Sequence, residues 1–383
     1  MSIYIKNGKL YPMVGPVIEN GSILIENGKI VAIGADIAAP AGAEVIDAAG
    51  RMVLPGMIDA HCHLGMEESA IRSEGSDGNE ATAPNTAQVR GIDGINPMDI
   101  TFQEAREAGV TLAATGPGSA NVLGGTFVVM KTAGVCVDEM VIKNPLAMKC
   151  AFGENPKRVY GGQHKMPATR MGTAAIMREA LFKAKEYMEA KESDKKPAFD
   201  LQKEALLPVL RREIPLKVHA HRADDIFTAI RIAKEFNVKI TLDHCTEGHL
   251  IAGHLAKEAY PAIVGPSFGH RTKFELTNKS FVTPGVLAKA GVKVAICTDS
   301  PVLPLQSLPL MAGMAHAAGM DEMDALRAIT INAAEILEVA DRVGSLEVGK
   351  DADIVIYDGH PFDTDGKTWR VLMDGQVVHC ACN

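Results

Sequence analysis

Eight apolar runs of strand length recur between residues 53 and 299, and amphipathic helices occupy the longer intervals between them. The runs are Val53–His63, Val110–Thr115, Thr126–Lys131, Leu146–Gly153, Leu216–His221, Lys239–His244, Ala262–Pro266 and Val292–Asp299. Helical periodicity marks Asp99–Ala108, Thr169–Lys191, Asp200–Glu213 and Asp224–Glu235. Eight such strands with crossover helices predict an α/β fold, a closed (β/α)8 TIM barrel rather than an open sheet. The ends of the chain have another texture. Short strands are expected at Ile3–Lys6, Gly15–Glu19, Ser22–Glu26, Lys29–Gly34 and Ala43–Asp47, with hairpin turns at Asn7-Gly8 and Asn27-Gly28. The same pattern returns at Ala352–Tyr357, Thr368–Met373 and Gln376–His379, with Asp374-Gly375 as a turn. Lone hairpins are marginal in water, so the two ends are expected to join. The expected division is a small β-sandwich domain from residues 1–52 and 345–383, and the barrel from 53–344.

The first barrel strand runs out of apolar residues at His61-Cys62-His63. Alternate side chains of a strand share a face, so His61 and His63 point together, about 7 Å apart along the backbone, with Cys62 turned away. Two imidazoles at the C-terminal end of a strand make half of a metal site. His219 and His221 repeat the spacing at the end of the fifth run, His244 ends the sixth and Asp299 the eighth. Taken singly, each has a plainer reading: His219 or His244 as a rim or core histidine, Asp299 as a helix N-cap ahead of Ser300-Pro301. Their order along the strands brings them all to one barrel mouth, the face where barrel active sites lie. Lys149, inside the apolar run Leu146–Gly153, asks for an explanation, because lysine is almost never buried without a partner. Two long polar excursions, Gly65–Pro97 and Glu154–Pro167, follow the first and fourth strands on the same side and are expected to wall the site.

Composition narrows the partners. A net charge of -8 and 5% aromatic residues give no electrostatic or stacking reason to expect nucleic acid or an anionic membrane. No apolar run approaches the length of a membrane span, and the first residues lack the apolar core of a signal peptide. Seven scattered cysteines argue against a disulfide framework and for a reducing cytoplasm. The expected partner is a small-molecule substrate, with self-association left open.

The chain resembles the amidohydrolase superfamily, and within it the imidazolonepropionase-like metal-dependent hydrolases. The residues that carry the resemblance are Pro55–His63, Ala108-Gly109-Val110-Thr111 and Gly344–Val355, specific together and weak singly. The resemblance implies one or two divalent metal ions, zinc first among them. His61 and His63 would bind one with Asp299, and His219 and His244 a second. An anionic bridge would come from a carboxylated Lys149 or from Glu154, and a mononuclear site without a bridge is the third option.

The implied chemistry is hydrolysis of a C–N bond. Metal brings the pKa of bound water to about 7, and Asp299 would act as general base and then acid. His221 would polarise the scissile carbonyl or only support His219. Arg158, His164, Arg170, Arg222 and Arg271, beside Lys157 and Lys165, are the candidate substrate contacts, since a guanidinium fork suits a carboxylate. They point to a cyclic amide acid, an N-acyl amino acid or a dipeptide. Two alternatives remain. A deaminase of heterocyclic bases in this superfamily usually carries a glutamate shortly after the strand-five histidine, and Ala220-His221-Arg222-Ala223-Asp224 has none. A non-enzymatic relative would have lost metal ligands, and all are present.

Overall fold

In the computed structural model, residues 2–69, 73–194 and 196–381 are described. Residues 70–72, inside the first polar excursion, lie outside them. Strands β1 (Ser2–Leu10), β2 (Ile18–Glu26), β3 (Lys29–Gly34), β4 (Glu44–Asp47) and β5 (Met52–Pro55) open the chain. The barrel strands are β6 (Met57–Cys62), β7 (Val110–Thr115), β8 (Leu123–Lys131), β9 (Val141–Ala151), β10 (Leu216–Ala220), β11 (Ile240–His244), β12 (Ala262–Val264) and β13 (Val294–Ile296). Strands β14 (Ile354–Asp358), β15 (Lys367–Met373) and β16 (Gln376–Cys380) return to the first group.

Both ends of the chain share one hydrogen-bonded sheet, in the order β16-β15-β14-β5-β1-β2-β3 with β4 on β1. Its strands alternate in burial with period two. Val53, Ile354 and Ile356 enter one apolar core with Ile5, Ile23 and Ile25, whereas Leu54, Val355 and Tyr357 enter the core shared with the barrel. The unit expected as a sandwich is thus built on a single eight-stranded sheet. The run expected as one strand over 53–63 is two. Gly56 turns the chain from sheet to barrel, and a Cβ there would stand 2.0 Å from Thr111 Oγ1, so only glycine fits. Asn7-Gly8 is not a hairpin turn: β1 runs through it with a register shift, Asn7 adopting φ 55° as bulge residues do. Asn27-Gly28 and Asp374-Gly375 are the expected turns, all four residues at positive φ.

The second sheet runs β13-β12-β11-β10-β9-β8-β7-β6, a nearly closed barrel of eight strands. It departs from the expected all-parallel pattern at one place. β8 is antiparallel to both β7 and β9. The connection from Thr115 to Leu123 is too short for a crossover, which needs a dozen residues or more, so the chain can only turn back. The segment expected as a loop after β9 begins with a helix, Glu154–Gly162; Gly153 at φ 83° makes the turn, and Pro156 sits in the first helical turn, where its missing N–H costs nothing. The helix expected over Asp200–Glu213 is instead two short ones, Leu201–Glu204 and Leu207–Leu210.

Because β8 is reversed, its last residue, Lys131, reaches the barrel end opposite the mouth. There it meets carboxylates of the terminal sheet region, with Asp351 Oδ2 at 2.9 Å and Asp353 Oδ1 at 3.1 Å, and Asp374 as a third partner. Burial works against the Lys131 charge, and the three carboxylates outweigh it and raise its pKa. Lys131→Met, which keeps the stem and removes the ammonium, would leave buried Asp353 without its cation, while Asp351 keeps Lys29 and Arg342. The expected loss is about 3–5 kcal/mol in urea unfolding, and an unchanged midpoint would show that the cluster holds nothing together.

Candidate metal centre

At the barrel mouth, β6 and its next residue present His61 and His63, β9 presents Lys149, β10 and its next residue present His219 and His221, β11 presents His244, and the turn after β13 presents Asp299. His61, Lys149, His219, His221 and His244 are buried, and His63 nearly so. Nitrogens of His219, His221 and His244 lie within 4.8 Å of one another, as do ligand atoms of His61, His244 and Asp299. Asp299 Oδ1 stands 3.3 Å from His63 Nε2 and 3.5 Å from His61 Nε2. His244 and Asp299 both hold left-handed backbone, at φ 70° and 56°. Non-glycine residues there carry a cost of about 1–3 kcal/mol, and such strain collects at functional sites.

The tautomers follow from second partners. His63 Nδ1 donates to Gly116 O at 2.7 Å and His244 Nδ1 to Gly265 O at 2.8 Å. A carbonyl only accepts, so the His244 ring, which burial keeps neutral, has a bare Nε2. His61 Nδ1 lies 2.8 Å from Asp243 Oδ2, which also faces Lys217 Nζ at 3.1 Å. Thr241 Oγ1 donates to the other Asp243 oxygen at 2.8 Å. Carboxylates and carbonyls behind histidine ligands orient them in this way in metal sites. Burial pushes His61, His219, His221 and His244 towards the neutral form, His221 to about 3, with Lys149 adding to the effect on the first three. Neutral imidazoles are the form that binds metal.

Phe127 of the reversed strand lies beneath the centre. Its ring is 5.3 Å from His61, and Lys149 and Lys217 place their ammonium groups 5.5 and 5.4 Å from its centroid. Burial lowers the Lys149 pKa to about 8, and Lys217 adds to the shift while Asp243 and Asp299 resist it. Asp299 is held below the usual carboxylate range: burial opposes its charge, and His244, His63 and Lys149 outweigh burial.

Lys149 Nζ is 3.1 Å from His61 Nε2, inside the cluster. Glu154 is directed elsewhere, its Oε2 accepting from Glu275 N at 3.4 Å. The guanidinium groups are occupied beside their own loops. Arg170 Nε binds both Asp225 oxygens at 3.0 Å, Arg222 pairs with Asp224 at 2.9 Å, and Arg271 Nε donates to Thr277 O at 2.9 Å. Arg158 and His164 are exposed. Sequence reasoning missed Asp59, Lys217, Asp243 and Glu275, all buried. The first three were visible as charged residues inside apolar strands, by the argument that singled out Lys149. Glu275 sits in a loop and gave no such signal.

The donor set fits a divalent metal. His244 Nε2 is buried with no hydrogen bond, and a cluster of neutral imidazoles beside one carboxylate suits zinc or another first-row ion. No helix among the described residues is long and apolar enough to cross a membrane.

Residues 52–381 match the model of the amidohydrolase family. Amidohydrolase tasK of Hapsidospora irregularis is 29% identical over 93% of this chain, which spans only 39% of that protein's length. The imidazolonepropionase of a Geobacillus species is 28% identical over 89% of this chain and 84% of its own. A solved amidohydrolase from Thermotoga maritima superposes with a TM-score of 0.96 at 42% identity, covering 99% of this chain and 100% of that one. A Xaa-Pro dipeptidase with bound methionine shares the fold at a TM-score of 0.60 and 18% identity, over 98% and 99% of the two chains.

Asp243→Asn would weaken the restraint on His61 and leave Lys217 without its carboxylate. Affinity for a divalent metal, measured by calorimetry on chelator-treated protein, is expected to fall about 10–100-fold. An unchanged affinity would mean that Asp243 serves only the fold.

Proposed function

The chain belongs to the amidohydrolase family, and from that premise we propose that it hydrolyses a C–N amide or lactam bond in a small, carboxylate-bearing substrate. A cyclic amide acid, an N-acyl amino acid and a dipeptide are the substrate types considered, beside relatives named imidazolonepropionase and Xaa-Pro dipeptidase. The observation that carries the reading is Asp299, an ionised carboxylate within 3.5 Å of the Nε2 atoms of both His61 and His63 at the barrel mouth.

His61, His63 and Asp299 would hold one cation, zinc first among the candidates, and His219 and His244 a second. When bound, such a cation supplies Lewis acidity, which makes a nucleophilic oxygen available at neutral pH and polarises a carbonyl. Asp299 takes the proton of the attacking water and delivers it to the leaving nitrogen. His221, with Nδ1 2.8 Å from Thr246 Oγ1, turns its other nitrogen to the centre and contacts the scissile carbonyl. Lys149 is the bridging candidate in preference to Glu154, on its 3.1 Å approach to His61 Nε2. For the substrate carboxylate, Arg158 is the preferred contact of the five, since Arg170, Arg222 and Arg271 already have partners. Six cysteines among the described residues are free, which supports a reducing, cytoplasmic setting.

Ring deamination is the second reading, and one contact favours it. Glu275 brings a carboxylate to 3.8 Å from His219 Nε2 and 3.7 Å from His221 Nε2, although the run after His219 holds no glutamate.

The test is a screen of N-acyl amino acids, dipeptides and cyclic amide acids beside adenine, guanine and cytosine analogues. Amide cleavage is expected, and Asp299→Asn should lower the rate at least about 100-fold while retaining most of the metal. Ammonia released from the bases with no amide cleaved would move the assignment to the second reading. For the bridge, Lys149→Ala should lose metal, and bicarbonate should aid reconstitution of the wild-type apoprotein. If Glu154→Ala loses it instead, Glu154 is the bridge.

A further inference from the structure

Glu275 is a buried ionisable group at the mouth that the proposed chemistry leaves unused. It lies in the segment between β12 and the helix Thr283–Lys289, only 1% exposed. Its two oxygens have different surroundings. Oε2 accepts from Glu154 N at 2.9 Å, which pins the carboxylate to the start of the helix after β9. Oε1 makes no hydrogen bond, and points between His219 Nε2 at 3.8 Å and His221 Nε2 at 3.7 Å. These separations exceed the N–H···O range of about 2.7–3.2 Å. They lie a few tenths of an ångström above the spacing of about 3.3–3.4 Å between ligands at tetrahedral positions around an ion bound at about 2.0–2.1 Å. The other contact of Oε1 is Lys273 Nζ at 3.5 Å, a partly exposed ammonium on the same loop.

A buried carboxylate oxygen without a hydrogen bond is costly unless a cation meets it. Here two neutral imidazole nitrogens converge on the same space. The Nδ1 contact of His221 with Thr246 leaves its Nε2 for that space, and Asn155 Nδ2 approaches His219 Nε2 only at 3.5 Å.

The geometry points to a cation site in which Glu275 Oε1 is the anionic ligand beside His219 and His221. The inference rests on the metal-dependent reading above and reassigns its second ion: His221 becomes a ligand with His219 and Glu275 and gives up the carbonyl contact. That ion draws its negative ligand from the loop after β12, so it needs neither Glu154 nor a modified lysine. Glu275 joins the centre through the fold of the loop, and Lys273 is the internal cation that the metal displaces.

The test is titration of chelator-treated full-length protein with Co2+ alone, followed by calorimetry and by visible absorption. Wild type should bind two equivalents. In Glu275→Gln, which can keep the bond from Glu154 N, one equivalent should bind as before, and the second should weaken at least about 100-fold, with loss of its absorption change. A melting curve checks that the variant is folded. The paired variant His61→Ala/His63→Ala should show the reverse pattern and lose the first equivalent. Lys273→Met, which removes the competing ammonium without touching the ligands, should tighten the second equivalent several-fold. Equal affinity and spectrum for the second equivalent in wild type and Glu275→Gln, or no response to Lys273→Met, would overturn the assignment. A wild type that takes up one equivalent, insensitive to Glu275→Gln, would also overturn it while leaving the metal-dependent reading intact. No uptake at all by the wild type would overturn that reading itself.

Discussion

The barrel is joined at its seam by a carboxylate. Among the described residues β6 and β13 form no ladder, so the first and last barrel strands need other bonds. Asp59 supplies two of them: one oxygen accepts from Thr298 N at 3.0 Å and Thr298 Oγ1 at 2.6 Å, while the other accepts from His61 N of its own strand at 3.0 Å. Beside it, Asp299 N donates to His61 O at 3.2 Å and His63 N to Ser300 O at 2.8 Å. The residues bonded across the seam are therefore the candidate ligands or their neighbours. Burial raises the Asp59 pKa to about 6, and its three donors resist the shift. The seam and the metal centre are one construction, and a change that loosened the first would displace the second.

Beyond the seam, the barrel interior carries more charge than an apolar core tolerates unless the charges answer one another. Lys217 donates to Ala60 O at 2.9 Å and faces Asp243, while Lys149 touches His61 and shares with Lys217 the face of Phe127. Each buried ion costs several kcal/mol before pairing, and cation–π contact at a desolvated ring returns about 2. The left-handed backbone at His244 and Asp299 adds to the cost. Such groupings are kept for what they do at the site, and the apolar cores elsewhere carry the stability.

How much could be read in advance depended on whether the signal was periodic. His61 and His63, or His219 and His221, are two residues apart on strands, so their common face was visible from spacing alone. The strand order then brought them to one mouth. The reversal of β8 was not anticipated, although the short Gly116–Val122 connection already excluded a crossover. The split at Gly56 was hidden because β5 and β6 are both apolar and read as one run. Arginine placement could not be read: Arg222 and Arg170 are neutralised by Asp224 and Asp225, and only the fold decides whether a fork turns to its neighbour or to a ligand. Glu275 illustrates the limit, being brought to the histidines by a loop without periodicity.

The terminal sheet has a consequence for how the chain is made. β5 pairs on one side with β1, which is already synthesised, and on the other with β14, so Leu54 waits for Val355. At roughly 5–20 residues per second, the intervening ~300 residues take about 15–60 s to emerge from a ribosome. Through that interval β5 is an apolar strand with an open edge, the element most prone to pair with a foreign chain. Until β14 is made, that edge has no partner within the sheet, so the barrel between β5 and β14 is completed before the sheet that carries its first strand.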